Sequence, residues 1–587
     1  MPVVRVVYRY WLMGAIVALL GAFLVYPIVL TTAGAFMTDG PSGPVFTLDN
    51  LRMVFADPVL REGFVNSLIV AAGTTTLAIM IALPLAILSA RFAYPFKGVF
   101  NALILVPLIL PPFVGAIGLR AILGRSGALN ALLGTHIDFL GGGWAPEWMR
   151  ALGPLADGKF LAVIAVEALS LYPIIYLNAA AALANLDPAL DDAARNLGAG
   201  PWRRLRCVTL PLIRPGLFAG ATIVFIWAFT ELGTPLMLDY YRVTPVQIFN
   251  GLKEVEDSSQ PYALTLLMLV VATGIYASGR LAFGGKAHAM YAKASVASAE
   301  RRLRGWRAWA ATGAFGIVTF VAVLPHLGVV LTSVSVTGGW YETVLPREYT
   351  PDHYRQALTS PDSFNSIVNS LVYATAAMAA DIGLGIVIGY LIVRTKLRGR
   401  RVLDALCMMP LAVPGLVMAF GFVAMSLRWP FKGGPLEEWV SVLGTDPNPI
   451  PLLVIAYAVR RLPYIVRATV AGLEQTSGEL EEAALNLGAS RFTAVRRVIV
   501  PLIAANLIAG GLLVFSFSML EVSDSLILAQ QAGDYPVTKA IFAFSERLGD
   551  GPSIAAAMGV WGMALLTVTL VGASVLMGRK LGAMFRV

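Results

Sequence analysis

The sequence predicts an all-α, polytopic membrane protein with about twelve transmembrane helices in two parallel six-helix repeats. Three observations predict it. The 587 residues are 57% hydrophobic and only 13% charged, with a mean hydropathy of +0.73. The apolar residues are gathered into long blocks. One half of the chain also repeats the pattern of the other.

Such a composition has too little charge to cover a water-soluble surface. The blocks Trp11 to Val29, Phe64 to Ala90, Leu161 to Ala184 and Ala555 to Met577 each reach the roughly 18–20 residues that cross a bilayer as a helix. About a dozen blocks fit the length. At the N-terminus, Arg5 and Arg9 precede an apolar run, and Ala33-Gly34-Ala35 resembles a cleavage site. The run from Tyr10 to Leu30 is longer than a signal-peptide core, so it reads as an uncleaved first helix.

The formal net charge of +9 reflects topology rather than nucleic acid, because no basic stripe interleaves with aromatics. Basic stretches at 186–214, 280–307 and 394–401 alternate with neutral or acidic ones at 36–62 and 239–260. The positive-inside bias then puts both termini in the cytoplasm and makes the helix count even. Cys207 and Cys407 match no metal or redox spacing, the four histidines form no cluster, and no metal site is expected.

The repeat is read from matching residues. Asn369-Ser370-Leu371, Arg394, Pro410 and Pro414 each follow Asn66-Ser67-Leu68, Arg91, Pro107 and Pro111 by 303 positions. Further along, the offset is 290: Asp192 with Glu482, Gly198 with Gly488, Pro211 with Pro501, Glu231 with Glu521. The first half therefore holds 13 extra residues, placed in the Gly-rich outer stretch 120–158. Matching charge patterns give both halves one orientation, so the repeats are parallel. The expected domains are 1–285 and 307–587, joined by a basic linker at 286–306.

The most informative segment is Asp192-Ala193-Ala194, then Gly198, then Pro211. Its partner is Glu482-Ala483-Ala484, Gly488 and Pro501. Paired alanines favour a helix and let another backbone come close. Gly198 and Gly488 suit a left-handed helix end. Pro211 and Pro501 suit the first turn of a new helix. Trp202, Arg203 and Arg206, like Phe492, Arg496 and Arg497, make an amphipathic second helix.

These loops resemble the Glu-Ala-Ala motif of binding-protein-dependent ABC importer permeases. The second copy fits throughout, and the first has Asp192 for Glu. The fused layout resembles the permeases for ferric iron, thiamine and 2-aminoethylphosphonate. The resemblance implies that each loop docks an ATP-binding cassette subunit. It implies two such ATPases, a periplasmic substrate-binding protein and the lipid bilayer as partners, in a bacterial inner membrane. No Gly-x-x-x-x-Gly-Lys-Ser/Thr phosphate loop occurs. ATP and Mg are therefore expected in the partner subunits, with no cofactor on this chain and no enzyme activity of its own. The rival reading is an ion-coupled secondary transporter with two six-helix halves, which has no need of the two loops. A membrane-embedded enzyme would need a His or carboxylate cluster at one face, and none is visible.

Three acids are candidate pathway residues. Glu231 stands about 15 residues into the fifth helix, Glu521 matches it, and Asp524 lies one turn on. Intramembrane acids usually face a cavity or a partner. Two readings stay open: acids on a central pathway, which favours a cationic or amine-bearing substrate, or acids at the wet ends of short helices. Glu167 lies inside the fourth helix, and Arg460 and Arg461 inside its counterpart. They form either a cross-half ion pair or separate polar pockets. Pro107, Pro111, Pro112, Pro410 and Pro414 are expected to bend the third and ninth helices.

Overall fold

The computed structural model describes residues 2–40, 43–109, 111–141, 153–255, 258–283, 301–444 and 446–577. Eight helices are long and apolar enough to cross a membrane: α1 (Tyr10–Ala35), α2 (Pro58–Arg91), α4 (Gly158–Ala184), α5 (Pro201–Phe229), α6 (Gln260–Gly279), α7 (Trp306–Val334), α8 (Pro361–Arg394) and α12 (Gly551–Gly572). Three bent pairs bring the candidates to as many as eleven. These are α3 (Lys97–Leu108 and Pro112–Leu133), α9 (Arg400–Leu411 and Gly415–Ser426) and α11 (Arg491–Leu502 and Ala504–Met519), bent by 94°, 102° and 78°. A further apolar helix, α10 (Ile450–Glu474), carries Arg460, Arg461 and Arg467, three charges that set it apart from an ordinary span. The described strands are two short pairs, Met37–Gly40 with Gly43–Phe46 and Phe92–Ala93 with Arg301–Arg302.

The two halves match in the ends of their long helices. α2 and α8 run from Pro58 to Arg91 and from Pro361 to Arg394, shifted by 303 at both ends. α4 and α10 end at Ala184 and Glu474, shifted by 290. The offset changes between α3 and α4, where 120–158 was expected to hold the insertion; residues 142–152 lie outside the described set. So do residues 286–300 of the linker.

The repeated Asn-Ser pairs have a structural cause. Asn66 Nδ2 donates to Tyr240 Oη at 3.1 Å and to the Arg242 carbonyl at 3.0 Å. Ser67 Oγ accepts from the Thr244 amide at 2.8 Å, at the start of the helix Thr244–Asn250. In the second half, Asn369 Nδ2 donates to the Gly533 carbonyl at 2.8 Å, and Ser370 Oγ accepts from the Val537 amide at 2.7 Å. Each pair pins a returning loop to the start of a long helix and satisfies an orphan helix-end donor.

The bends of α3 and α9 fall at their prolines, which remove a backbone donor and clash with the preceding turn. Each bent helix packs against the first helix of the other half: α7 on α3 and α1 on α9. Glycines make the contact. A Cβ on Gly118 would lie 1.9 Å from the Pro325 carbonyl oxygen, and one on Gly421 would lie 2.9 Å from the Pro27 carbonyl oxygen. Gly118 and Gly421 are 303 apart. Small residues of this kind bring membrane helices together at backbone distance.

Candidate functional site: a central cavity and two exposed loops

Where the halves meet there is a cavity of about 240 Å³. The proline bends of both halves line it, Pro107 and Pro111 from the first and Pro410 and Pro414 from the second. Glu167, Glu231, Glu521, Arg460 and Arg461 also line it. Glu231 does not stand within α5. That helix ends at Phe229, a short helix Gly233–Met237 begins two residues past Glu231, and the acid occupies the break. Glu521 occupies the matching break between Met519 and the short helix Ser523–Leu528. Irregular backbone of this kind is tolerated within membranes where it lines a cavity. The two breaks touch: a Cβ on Gly233 would lie 2.8 Å from Val522 Cγ1.

The matched acids are held differently. Glu231 Oε1 accepts from the Thr234 amide at 3.2 Å, which caps the short helix. Glu521 sits between two guanidinium groups, with Arg460 Nη1 on one carboxylate oxygen and Arg461 Nη2 on the other. Asp524 is buried behind it, its Oδ2 3.4 Å from Arg460 Nη1. Of the two readings left open for Glu167 and these arginines, a cross-half pair or separate polar pockets, the structure has the second: the arginines pair within their own half, with the acid that follows the next helix in sequence. Gly415 makes room, because a Cβ there would lie 2.0 Å from Arg460 Cζ.

Glu167 instead accepts from Thr74 Oγ1 at 3.3 Å through Oε2. It is 1% exposed, and its Oε1 has no hydrogen-bond partner. Asp381 on α8 is fully buried with neither carboxylate oxygen hydrogen-bonded. Sequence reasoning passed over Asp381. The excess arginine in α10 was the available signal that acids on neighbouring helices must balance it.

The motif loops are nearly superimposable in their bonding. Gly198 and Gly488 have φ of 79° and 87°. The Gly198 amide bonds to the Arg195 carbonyl and Ala199 to Ala194, both at 3.0 Å; Gly488 and Ala489 repeat this with Leu485 and Ala484. Both loops thus end in the same left-handed cap. Leu197 and Leu487 are 87% and 90% exposed, and Trp202 and Phe492 are 73% and 74% exposed.

Asp192 and Glu482 point outward, with Asp192 bonded at 3.1 Å to exposed Arg195. The acid one residue earlier does the anchoring. Asp191 meets Arg91 at 3.6 Å and Arg204 at 2.7 Å. Glu481 accepts from Tyr390 Oη at 2.5 Å and meets Arg394 at 4.0 Å. The matched arginines at the ends of α2 and α8 thus hold the two loops.

Pro211 does not open a new helix. α5 is already helical from Pro201, and a π-turn at Leu205–Thr209 precedes the proline. The matching π-turn, Val495–Ile499, precedes Pro501. A widened turn absorbs the missing donor of each proline; α5 then runs on to Phe229, whereas α11 breaks at Ile503, two residues past Pro501.

The family model for the inner membrane component of binding-protein-dependent transport systems matches residues 82–282 and 381–575. The chain belongs to this family. It is the membrane permease of an ABC importer, and its two matches make it the fused, two-domain type. It is 24% identical over 515 residues to a putative ferric transport system permease protein of Haemophilus influenzae, covering 87% of this chain and 77% of that one. It is 27% identical over 504 residues to a probable ABC transporter permease of Sinorhizobium fredii, covering 84% of each. A probable molybdenum ABC transporter permease of Haloferax volcanii is 30% identical over 260 residues, covering 44% of this chain and 86% of that one. The family implies an ATPase and a binding protein as partners.

Proposed function

We propose that this permease imports a cation, ferric iron in the first place, handed over by a periplasmic binding protein. The carrying observation is the charge in and directly behind the wall of the central cavity. Glu167, Glu231, Glu521 and Asp524 are four carboxylates against the two guanidinium groups of Arg460 and Arg461. Both arginines are engaged by acids of their own half, so neither is left for a substrate oxyanion. Buried or half-buried charge of one sign raises the local concentration of the opposite ion. The ferric permease relatives agree with this choice; the molybdenum relative argues for an oxyanion, which the cavity charge disfavours.

Two ATPase subunits dock on the two motif loops, one on Asp192 to Gly198 and one on Glu482 to Gly488, with Pro211 and Pro501 starting the stretch that carries the motion into the membrane. The exposed Leu197, Trp202, Leu487 and Phe492 supply the apolar contact. ATP and Mg act in those subunits. Both termini lie in the cytoplasm, in a bacterial inner membrane, and the halves divide at 1–285 and 307–587. Glu231 and Glu521 border the path, with Asp524 behind Glu521.

Proteoliposomes holding the permease, its ATPase and its binding protein test this. ATP-dependent uptake of radiolabelled ferric iron, without competition by molybdate, is the expected result. Uptake of molybdate but not iron would overturn the substrate. Uptake driven by an ion gradient with no ATPase would restore the secondary transporter.

A further inference from the structure

Glu167 belongs to the first half, on α4, and has a match in the second half that is not an acid: position 457 is Tyr. Tyr457 bonds Ser525 Oγ at 2.6 Å and is closed off. Glu167 has no such closure, because one carboxylate oxygen has no hydrogen-bond partner and the residue lines the central cavity. Glu231 lies within electrostatic reach of it, and Glu521 within reach of Glu231. Among the described residues, neither Glu167 nor Glu231 meets Lys, Arg or His in an ion pair, whereas Glu521 meets two arginines. The cavity's carboxyl groups without a cationic partner therefore lie on the first half's side.

We propose that Glu167 and Glu231 form a subsite for a hard, multivalent cation in transit through the permease. The assignment rests on the cation reading above and deepens it. Carboxylate oxygens select hard cations over soft ones. An acid at a buried position is costly, and that cost is offset when a cation arrives. Among the described residues no three His, Cys, Asp or Glu side chains converge as a metal site. A resting place on a conduction path must bind weakly enough to release. The Arg-clamped Glu521 lines the same cavity from the second half and keeps the cation from being shared equally between the halves.

Terbium(III) is a direct probe, because its luminescence is sensitised by a nearby indole and Trp227 lines the same cavity. The complete permease–ATPase complex in nanodiscs is titrated with terbium(III), with and without ATP. Sensitised emission is expected in at least one nucleotide state, and Trp227→Phe removes it. Glu167→Gln and Glu231→Gln each weaken terbium(III) binding at least tenfold with unchanged melting temperature. Glu62→Gln, a half-exposed acid paired with Arg242 away from the cavity lining, leaves binding unchanged. Absent emission in both states, or wild-type affinity in Glu167→Gln, overturns the subsite. Iron uptake at the wild-type rate by a Glu167→Gln complex with wild-type terbium(III) affinity removes the subsite and leaves the cation importer standing. Strong terbium(III) binding with no ATP-driven iron uptake does the reverse.

Discussion

Glu521 and Glu231 are matched by sequence and unlike in surroundings, so the same substitution separates them. Glu521→Gln leaves Arg460 and Arg461 buried with half their compensation gone. Breaking a buried pair by removing one partner costs about 3–5 kcal/mol, less where a guanidinium retains some solvent. The side chains of Arg460 and Arg461 are 23% and 13% exposed, so a loss of about 2–4 kcal/mol is expected. Glu231→Gln keeps the acceptor for the Thr234 amide and is expected to cost under about 1 kcal/mol. Thermal melts of both variants in one detergent check this, and equal shifts would contradict the asymmetry. The acids themselves were legible because the repeat offset aligned them. Their partners were not, because an ion pair between α10 and the break after α11 leaves no periodic trace. The anchoring role of Asp191 and Glu481 was hidden for a similar reason: the motif draws attention to the next residue, which faces solvent.

The motif loops owe their shape to a backbone conformation, and that makes them sensitive at one position each. Gly488 has φ of 87°, and a Cβ added there would have nothing within 4 Å of it. Space is therefore free, and conformation alone forbids a side chain. A β-branched residue is poorly accommodated in that left-handed region. Gly488→Val is expected to insert normally yet lower ATPase stimulation by the loaded binding protein at least tenfold. Stimulation at the wild-type level would argue against docking at this loop. Gly118 poses the opposite case, a steric one. A Cβ there meets backbone at 1.9 Å, against 2.9 Å at Gly421. Overpacking costs about 1–3 kcal/mol, so Gly118→Ala is expected to lower the melting temperature more than Gly421→Ala. The reverse order would contradict the packing. Helix existence and the proline bends were readable in the sequence. The π-turns before Pro211 and Pro501 were not, because a proline near a helix start and a proline after a widened turn look alike in a sequence.

The repeat suggests two independent halves, and the packing says otherwise. Pro27 of the first half rests on Gly421 of the second, and Pro325 of the second rests on Gly118 of the first. Each half therefore lends its first helix to the other's bent helix, and the cavity exists only where the two are assembled. Buried helix contact is expected to hold that arrangement without the linker. Membrane helices associate through close packing rather than through a hydrophobic drive between them. A chain cut within 286–300 and expressed as two fragments is thus expected to reassemble. The fragments co-purify through a tag on either one, and iron uptake returns to within about threefold of the intact chain, a penalty of under about 1 kcal/mol. Either fragment alone exposes Gly118 or Gly421 without its proline partner and is expected to be degraded or to aggregate. Adding Gly118→Leu to the first fragment should abolish co-purification, because the obstructed contact lies between the fragments. Stable, separately purifiable halves would show that the two packing contacts are incidental to assembly.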